Sequence, residues 1–233
     1  MRRTKEDALL TREKLLDAAE IVFWDKGVSS TSLQDIAQAA GLTRGAIYWH
    51  FKDKATLFNA MMDRSVSPIE ETIGRVGQEK TDEPLIQIRA AMVDALTRIA
   101  TEPRTRRVLG IAANKVEYVD ELSDVRAHHI AVHLNCQNHL ETAIRRAQKL
   151  GQVAAKPSAR VMIVGLQALV TGLINTWMLD NQLFNLTRAG AQAIDLYLSG
   201  LKATSPSPVS SKPTSPSRCR VSAQPSKLKP SGL

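Results

Sequence analysis

Residues 32–51 read SLQDIAQAAGLTRGAIYWHF, a pattern typical of two short helices packed across a tight turn. Such a pair needs a small residue where the helices cross, a glycine that can adopt a positive φ at the turn, and apolar residues that anchor both helices. Ala37 and Gly41 supply the first two features. The anchors are Leu33, Ile36, Leu42 and Ile47. The segment therefore predicts a helix-turn-helix.

The second helix of this pair carries polar and aromatic side chains that a helix pair serving only as core would not require. Thr43, at the N-cap, is placed to bind a backbone phosphate. Arg44, the first residue of the helix, is placed to contact a guanine edge in the major groove. We predict DNA contacts from this helix and its flanks, made by Ser32, Thr43, Arg44, Gly45, Ala46, Tyr48, Trp49, His50, Lys52 and Lys54. The competing interpretation is that a side chain is merely solvated at the surface, and it is strongest for Lys52.

The remainder of the chain predicts an all-α protein. Apolar residues recur at helical spacing almost everywhere up to Lys202, and the alternation typical of strands never persists. Gly27 is expected to cap the first helix, and three prolines stand where new helices would begin. We expect helices over residues 11–26, 33–40, 44–51, 53–74, 84–100, 103–113, 123–150, 158–179 and 187–202.

Composition limits the alternatives. The chain has 233 residues and a formal net charge of +8, but five of these charges lie after residue 202, so bulk charge says little about partners. The only cysteines are Cys136 and Cys219, which implies no disulfide framework and fits a reducing cytoplasm.

We predict three regions: a DNA-binding domain at 1–52, a sensing and dimerisation domain at 53–202, and a disordered basic Pro/Ser-rich tail at 203–233.

Residues 11–58, and in particular GVSSTSLQDIAQAAGLTRGAIYWHFKDKATLF, closely resemble the DNA-binding domain of the TetR family, and within it the AcrR-like repressors of multidrug efflux operons. A looser similarity continues in RTRRVLGI, NKVEYVDEL and GLINTWMLDNQLFNL. The resemblance implies nine helices, with an N-terminal three-helix DNA-binding domain and a C-terminal helical domain for ligand binding and dimerisation. It implies a cytoplasmic homodimer that binds a palindromic double-stranded operator and is released by a hydrophobic small-molecule inducer. A regulator of another operon, responding to a metabolite or a metal, is the alternative.

The same resemblance indicates where a ligand cavity would be lined. The positions are Ile88, Met92, Leu109, Asn114, Glu117, Cys136, Gln137, Leu140, Gln167, Val170, Thr171 and Ile174. Ordinary core packing is the competing interpretation for the apolar members. The last two helices are expected to form the dimer interface, through Leu166, Leu169, Leu173, Trp177, Leu196, Tyr197 and Leu201.

Other functions have less support. His129, His133 and Cys136 share a helical face, but no further ligand is fixed, so we predict no metal site. No phosphate-binding glycine loop or nucleophile elbow occurs, so we predict neither an enzyme nor a bound cofactor. Residues 161–179 carry no charge over nearly the length of a membrane span, but their polar positions and isolation favour a buried helix and no membrane partner.

Overall fold

The computed structural model describes residues 5–78, 81–116 and 122–202. Over these residues the chain forms nine α-helices: α1 (Lys5–Lys26), α2 (Leu33–Ala39), α3 (Arg44–His50), α4 (Lys54–Val76), α5 (Pro84–Thr101), α6 (Pro103–Asn114), α7 (Ser123–Lys149), α8 (Ala159–Leu179) and α9 (Leu186–Leu201). The only extended pairing in these ranges is an isolated bridge between Val153 and Lys202. The all-α expectation is confirmed.

Side-chain caps set the start of the helices that carry the predicted DNA contacts. Ser32 and Asp35 form a reciprocal capping box at α2, in which each accepts the other's backbone N–H. The hydrogen bonds from Ser32 and the nearby Lys26 ammonium lower the pKa of Asp35 to about 2. At α3, the Thr43 hydroxyl accepts the Ala46 N–H at 3.3 Å, so the predicted N-cap is confirmed.

Two glycines make the sharp changes of direction in the DNA-binding part. Gly27 ends α1 with a φ of +82°, and Gly41 connects α2 to α3 with a φ of +67°. L side chains rarely adopt this backbone conformation, which explains why glycine stands at both turns. Both turns were predicted from the sequence. The start of α1 differs from the prediction, because the helix begins at Lys5 and not near Thr11.

The helices enclose two apolar cores, and α4 contributes to both. The first core joins α1, α2 and α3 to the start of α4 as far as Met61, and it also includes Val108 and Ile111 of α6. The second core is built mainly from α5, α7, α8 and α9, with Ile69 and Ile73 from the second half of α4. The first core thus continues past the predicted boundary after Lys52, and the division into domains stays a prediction. The predicted tail at 203–233 lies outside the described residues.

Helix α4 passes without interruption through Pro68. Proline has no N–H, so the carbonyl of Arg64 cannot receive the usual hydrogen bond from the residue four positions later. This position separates the α4 residues of the first core from Ile69 and Ile73 of the second. The backbone is therefore locally weakened where α4 passes from one core to the other.

The outer faces of α8 and α9 differ in part from the expected dimer face. Leu166 and Trp177 are buried in the chain's own core, so they were wrongly assigned to a surface that a second copy would cover. Leu196 of α9 is 77% exposed, and Val161, Val164 and Leu179 are exposed on α8. The helical period of α8 left two faces apolar, and the sequence alone did not distinguish the inner face from the outer one.

Helix α8 is, within the described residues, the one helix long and apolar enough to cross a membrane. A core helix of a soluble protein meets the same criterion. Here α8 packs against α7 and α9, and its Ile163 and Leu166 are fully buried. These contacts account for the apolar character of its inner face.

Candidate DNA interface and ligand cavity

Helix α3 presents a polar and aromatic face to solvent. Ile47 is fully buried and anchors the helix, whereas Tyr48 is exposed and Trp49 is 71% exposed. Arg44 is also exposed, and its guanidinium carbon lies 5.5 Å from the centre of the Tyr48 ring. This cation–π contact holds a long, flexible side chain along the helix, so Arg44 is partly ordered before any DNA is bound.

The other predicted DNA contacts lie around α3. Ser32, Thr43, Gly45 and Lys52 are exposed, and Ala46 and His50 are half-buried. The His50 imidazole packs edge-on against Trp49, with 4.5 Å between the ring centres. These contacts fix the aromatic end of α3.

Lys54 differs from the other predicted phosphate contacts. Its side chain is buried, and its Nζ donates a hydrogen bond to the Ser29 carbonyl at 3.2 Å. A phosphate contact would require this buried side chain to become accessible from the surface. In the structure, Lys54 instead ties the start of α4 to the loop before α2, which helps to fix the recognition helix relative to α4.

A cavity of about 240 Å³ lies among α4, α5, α7 and α8, and we call it the central cavity. The structure brings eight of the twelve sequence-predicted ligand positions together at its wall: Met92, Leu109, Cys136, Leu140, Gln167, Val170, Thr171 and Ile174. Most of the lining is aliphatic. A mainly aliphatic wall that also carries some polar groups is typical of sites for small molecules of largely apolar character.

Of the four remaining predicted ligand positions, the three within the described residues do not line the central cavity. Ile88 is fully buried in the core. Gln137 is buried and donates to the Gln167 side chain at 3.1 Å, so it positions a cavity residue without facing the cavity itself. Asn114 donates to the Gly110 carbonyl, and it lines a different cleft. Glu117 lies outside the described residues.

The sequence prediction missed the contribution of α4. One face of this helix lines the cavity through Phe58, Asn59, Met62, Asp63, Val66, Ile69, Glu70 and Ile73. Apolar residues at spacings of three and four were visible in the sequence, but the same spacing predicts ordinary core packing. The finding matters because α4 begins directly after the recognition helix.

The charged groups at the central cavity are carboxylates and imidazoles. Burial, and then the nearby Asp63 charge, raise the pKa of Glu70. Asp63 is paired with His128, whose Nε2 lies 2.8 Å from its carboxylate. Burial, followed by the influence of His133 and His128, lowers the pKa of His129. Neither lysine nor arginine is among the described residues lining the cavity, which favours neutral or cationic ligands over anions.

The predicted histidine and cysteine face is part of this wall. His129, His133 and Cys136 all line the cavity. Burial, and then the Glu70 charge, raise the pKa of Cys136 to about 11, so the group remains a thiol at neutral pH. In the described ranges, no group of three or more His, Cys, Asp or Glu side chains is arranged to hold a metal ion.

A buried ion-pair cluster connects α1, α4 and α6, and we call it the Glu20 network. Glu20 of α1 is buried and is bonded to Arg64 of α4, while Arg104 of α6 reaches the same carboxylate at 3.2 Å. Arg64 also pairs with Glu13 at 2.6 Å. Burial acts to lower the pKa of Arg64, but its bonds to Glu13 and Glu20 outweigh this effect and raise it. The guanidinium therefore stays charged.

Two family models cover most of the chain. The model of bacterial regulatory proteins of the tetR family matches residues 15–61. The model of the C-terminal region of MAATS-type transcriptional repressors matches residues 83–203. The HTH-type transcriptional regulator TtgR of Pseudomonas putida is 36% identical over 180 residues, which cover 77% of this chain and 85% of TtgR.

Solved structures give the same result. NalD, described as the secondary repressor of the MexAB-OprM multidrug efflux pump in Pseudomonas aeruginosa, matches with a TM-score of 0.78 and 33% identity. The match covers 84% of this chain and 98% of NalD. A complex of SmeT, the repressor of the Stenotrophomonas maltophilia pump SmeDEF, with triclosan matches with a TM-score of 0.74 and 31% identity, covering 83% and 92% of the two chains.

The fold and the exposed recognition helix define a helix-turn-helix transcriptional regulator. The chain belongs to the TetR family, and it is a transcriptional repressor whose relatives include repressors of multidrug efflux pumps. The family expectation from the sequence is thus confirmed. Members of this family are regulators and not enzymes.

Proposed function

We propose that the protein binds a palindromic operator as a homodimer in the cytoplasm, is released by a hydrophobic small molecule, and controls a multidrug efflux operon. The central observation is that one helix, α4, both follows the recognition helix and forms a wall of the apolar cavity. A ligand in the cavity thereby contacts the element that positions α3. Relatives described as efflux-pump repressors support the choice of operon.

The DNA contacts are assigned by chemistry and exposure. Arg44 reads a base edge, and Thr43, Tyr48 and Lys52 contact the phosphate backbone, because each presents a donor on the solvent side of the α3 region. In a two-fold symmetric dimer, the two recognition helices would lie about 34–36 Å apart, one turn of DNA. The exposed residues Val161 and Val164 of α8 and Leu196 of α9 are the surface for that pairing.

The ligand assignment rests on the wall of the central cavity. Its aliphatic lining and its lack of lysine and arginine among the described residues suit a bulky, mostly apolar molecule. The SmeT relative was solved in complex with triclosan, and we infer a ligand of comparable apolar character for the equivalent cavity here. Gln167 and Thr171 supply the polar anchors.

Release follows from a change in the orientation of α4. The Glu20 network fixes the first half of α4 to α1, and residues on both sides of Pro68 line the cavity. A ligand in the cavity therefore contacts the first half of α4 directly, and displacement of this half moves α1 and α3 with it. The movement transmitted to α3 changes the separation of the two recognition helices, which lowers the affinity for the operator.

Selection of bound duplexes from a random DNA pool tests the DNA assignment. We expect an inverted repeat whose half-site centres are separated by about 10–10.5 base pairs or a multiple of this distance. A scrambled duplex of the same composition serves as the control. Recovery of sequences that share no repeat would contradict the proposal.

Displacement by triclosan tests the cavity. Val132 lines the cavity, whereas Ile130 of the same helix is exposed and does not line it. Val132→Phe fills part of the space and should raise the triclosan concentration needed for release, while the matched Ile130→Phe should not. Equal release curves for both variants would show that triclosan acts elsewhere.

A further inference from the structure

A second cleft lies between the end of α1, the middle of α6 and the end of α8, and we call it the tryptophan cleft. It measures about 490 Å³. It shares no lining residue with the central cavity. Its walls include Trp24, Trp177 and two arginines, Arg106 and Arg107. This composition differs from the aliphatic wall of the central cavity, so the two sites suit different ligands.

The aromatic wall is held in place by close packing. The indole of Trp24 is 46% exposed, and it lies so near α6 that a Cβ added at Gly110 would come within 2.8 Å of its ring. Glycine at position 110 therefore permits this approach. An exposed indole that is fixed against a helix backbone offers a flat, preformed surface on which a planar ring can stack.

Arg106 provides a charge that the described protein does not neutralise. Its guanidinium carbon lies 5.8 Å from the Trp177 ring centre, and the described residues offer it no carboxylate partner. Arg107 lies beside it and is paired only weakly, at 3.5 Å, with Glu20, whose carboxylate is already bonded to Arg64 and Arg104. The cleft thus holds one unpaired and one loosely paired guanidinium.

The lining also contains one acidic group. Asp180 follows the end of α8, and its Oδ1 accepts the Gln182 N–H at 2.9 Å. A neutral N–H offsets none of the carboxylate charge, but two guanidinium groups line the cleft against this one carboxylate. A planar guanidinium fixed by stacking is the group that best recognises a carboxylate through two parallel hydrogen bonds.

We propose that the tryptophan cleft binds a planar aromatic carboxylate, with the ring against Trp24 and the carboxylate at Arg106 and Arg107. The tryptophan cleft is separate from the central cavity. Its ligand class is opposite in charge to the one that the carboxylates of the central cavity favour. The protein therefore has two small-molecule sites that respond to chemically distinct ligands.

Calorimetric titration of the full chain with 2-naphthoate, in the absence of DNA, tests this proposal. We expect saturable binding, and Arg106→Gln should weaken it about tenfold or more, because a charged hydrogen bond is replaced by a neutral one. The isosteric neutral probe 2-naphthamide should bind the wild-type protein correspondingly less well. Arg126→Gln is the charge-matched control, since Arg126 is an exposed arginine that lines neither site.

Two further variants keep the outcome clear. Trp24→Ala removes the aromatic wall of the cleft and should also weaken naphthoate binding. This variant tests the proposal even if Arg106→Gln does not fold. Val132→Phe narrows only the central cavity and should leave naphthoate binding unchanged. No binding by the wild-type protein, equal affinity for the amide, or loss of binding in Val132→Phe would each overturn the assignment, whatever the result with triclosan.

Discussion

Arg44 and Tyr48 lie one helical turn apart on α3, and their cation–π contact makes them a pair with separable roles. Arg44→Ala should cost about 1–3 kcal/mol of operator binding and relax the preference at one base pair, because a base contact is lost. Tyr48→Phe keeps the ring and removes only a phosphate donor, so it should weaken all sequences similarly. Fluorescence-anisotropy titrations with cognate and scrambled duplexes provide the comparison. An unchanged affinity ratio in Arg44→Ala would refute base readout by this residue.

Glu70 makes a pH-dependent contribution to stability. Burial raises its pKa in the folded protein, so the cost of keeping an ionised carboxylate at the cavity is present above that pKa and absent below the unfolded value of about 4.3. Glu70→Gln should therefore stabilise the protein at neutral and mildly alkaline pH, and the gain should decline as the pH falls below the folded pKa and vanish below the unfolded value. Chemical denaturation across this pH range measures the difference. Exposed Glu71→Gln is the control, and a gain of equal size there would argue against burial as the cause.

At the level of helices, the Glu20 network joins three elements through one buried carboxylate. Glu20→Gln leaves the largely buried Arg64 with weaker compensation, and we expect a loss of about 3–5 kcal/mol of unfolding free energy. Glu13 pairs with the same arginine but its side chain is 46% exposed, so Glu13→Gln should cost less than about 1 kcal/mol. Urea denaturation distinguishes the two. Similar losses of unfolding free energy in both variants would mean that the burial of Glu20 does not strengthen its contribution to stability.

Helix ends were predictable where a local chemical cue marks them. Pro84 and Pro103 begin α5 and α6, and Thr43 caps α3, as the sequence indicates. The first turns of α1 were missed although Glu6 and Asp7 provide the acidic side chains that favour the start of a helix. The cavity was only partly predictable. Apolar spacing shows which face of a helix is buried, but it does not show whether that face meets a neighbouring helix or an empty space. Whether neighbouring helices leave space between them depends on how distant segments pack, as the α4 residues illustrate.

For the whole molecule, the exposed apolar surface of α8 and α9 bears on assembly. Leu196→Glu would place a charge in the centre of the proposed two-fold interface and should produce monomers with much weaker operator binding, because one half-site alone is bound poorly. Ile86 of α5 is also exposed, and Ile86→Glu should leave the dimer intact. Light scattering gives the mass of each variant. A dimeric Leu196→Glu protein would exclude this face as the interface.

Ligand and operator should influence each other's binding to the same extent. If the cavity acts through α4, operator DNA must weaken triclosan binding by the factor by which triclosan weakens operator binding, typically about 5–150-fold. Calorimetry with and without a selected operator duplex measures both factors. Equal triclosan affinities in the two conditions would rule out coupling through the conformation of the dimer.

The placement of the three tryptophans has a spectroscopic consequence. Trp49 is exposed on the recognition helix, Trp24 is partly exposed in the tryptophan cleft, and Trp177 is buried beneath Arg106. Their indoles occupy three environments of different polarity, so their emission maxima should be spread from red to blue in that order. Replacing two of the three with phenylalanine would leave a single intrinsic optical reporter, at the DNA surface, at the cleft, or at the core, without any attached dye.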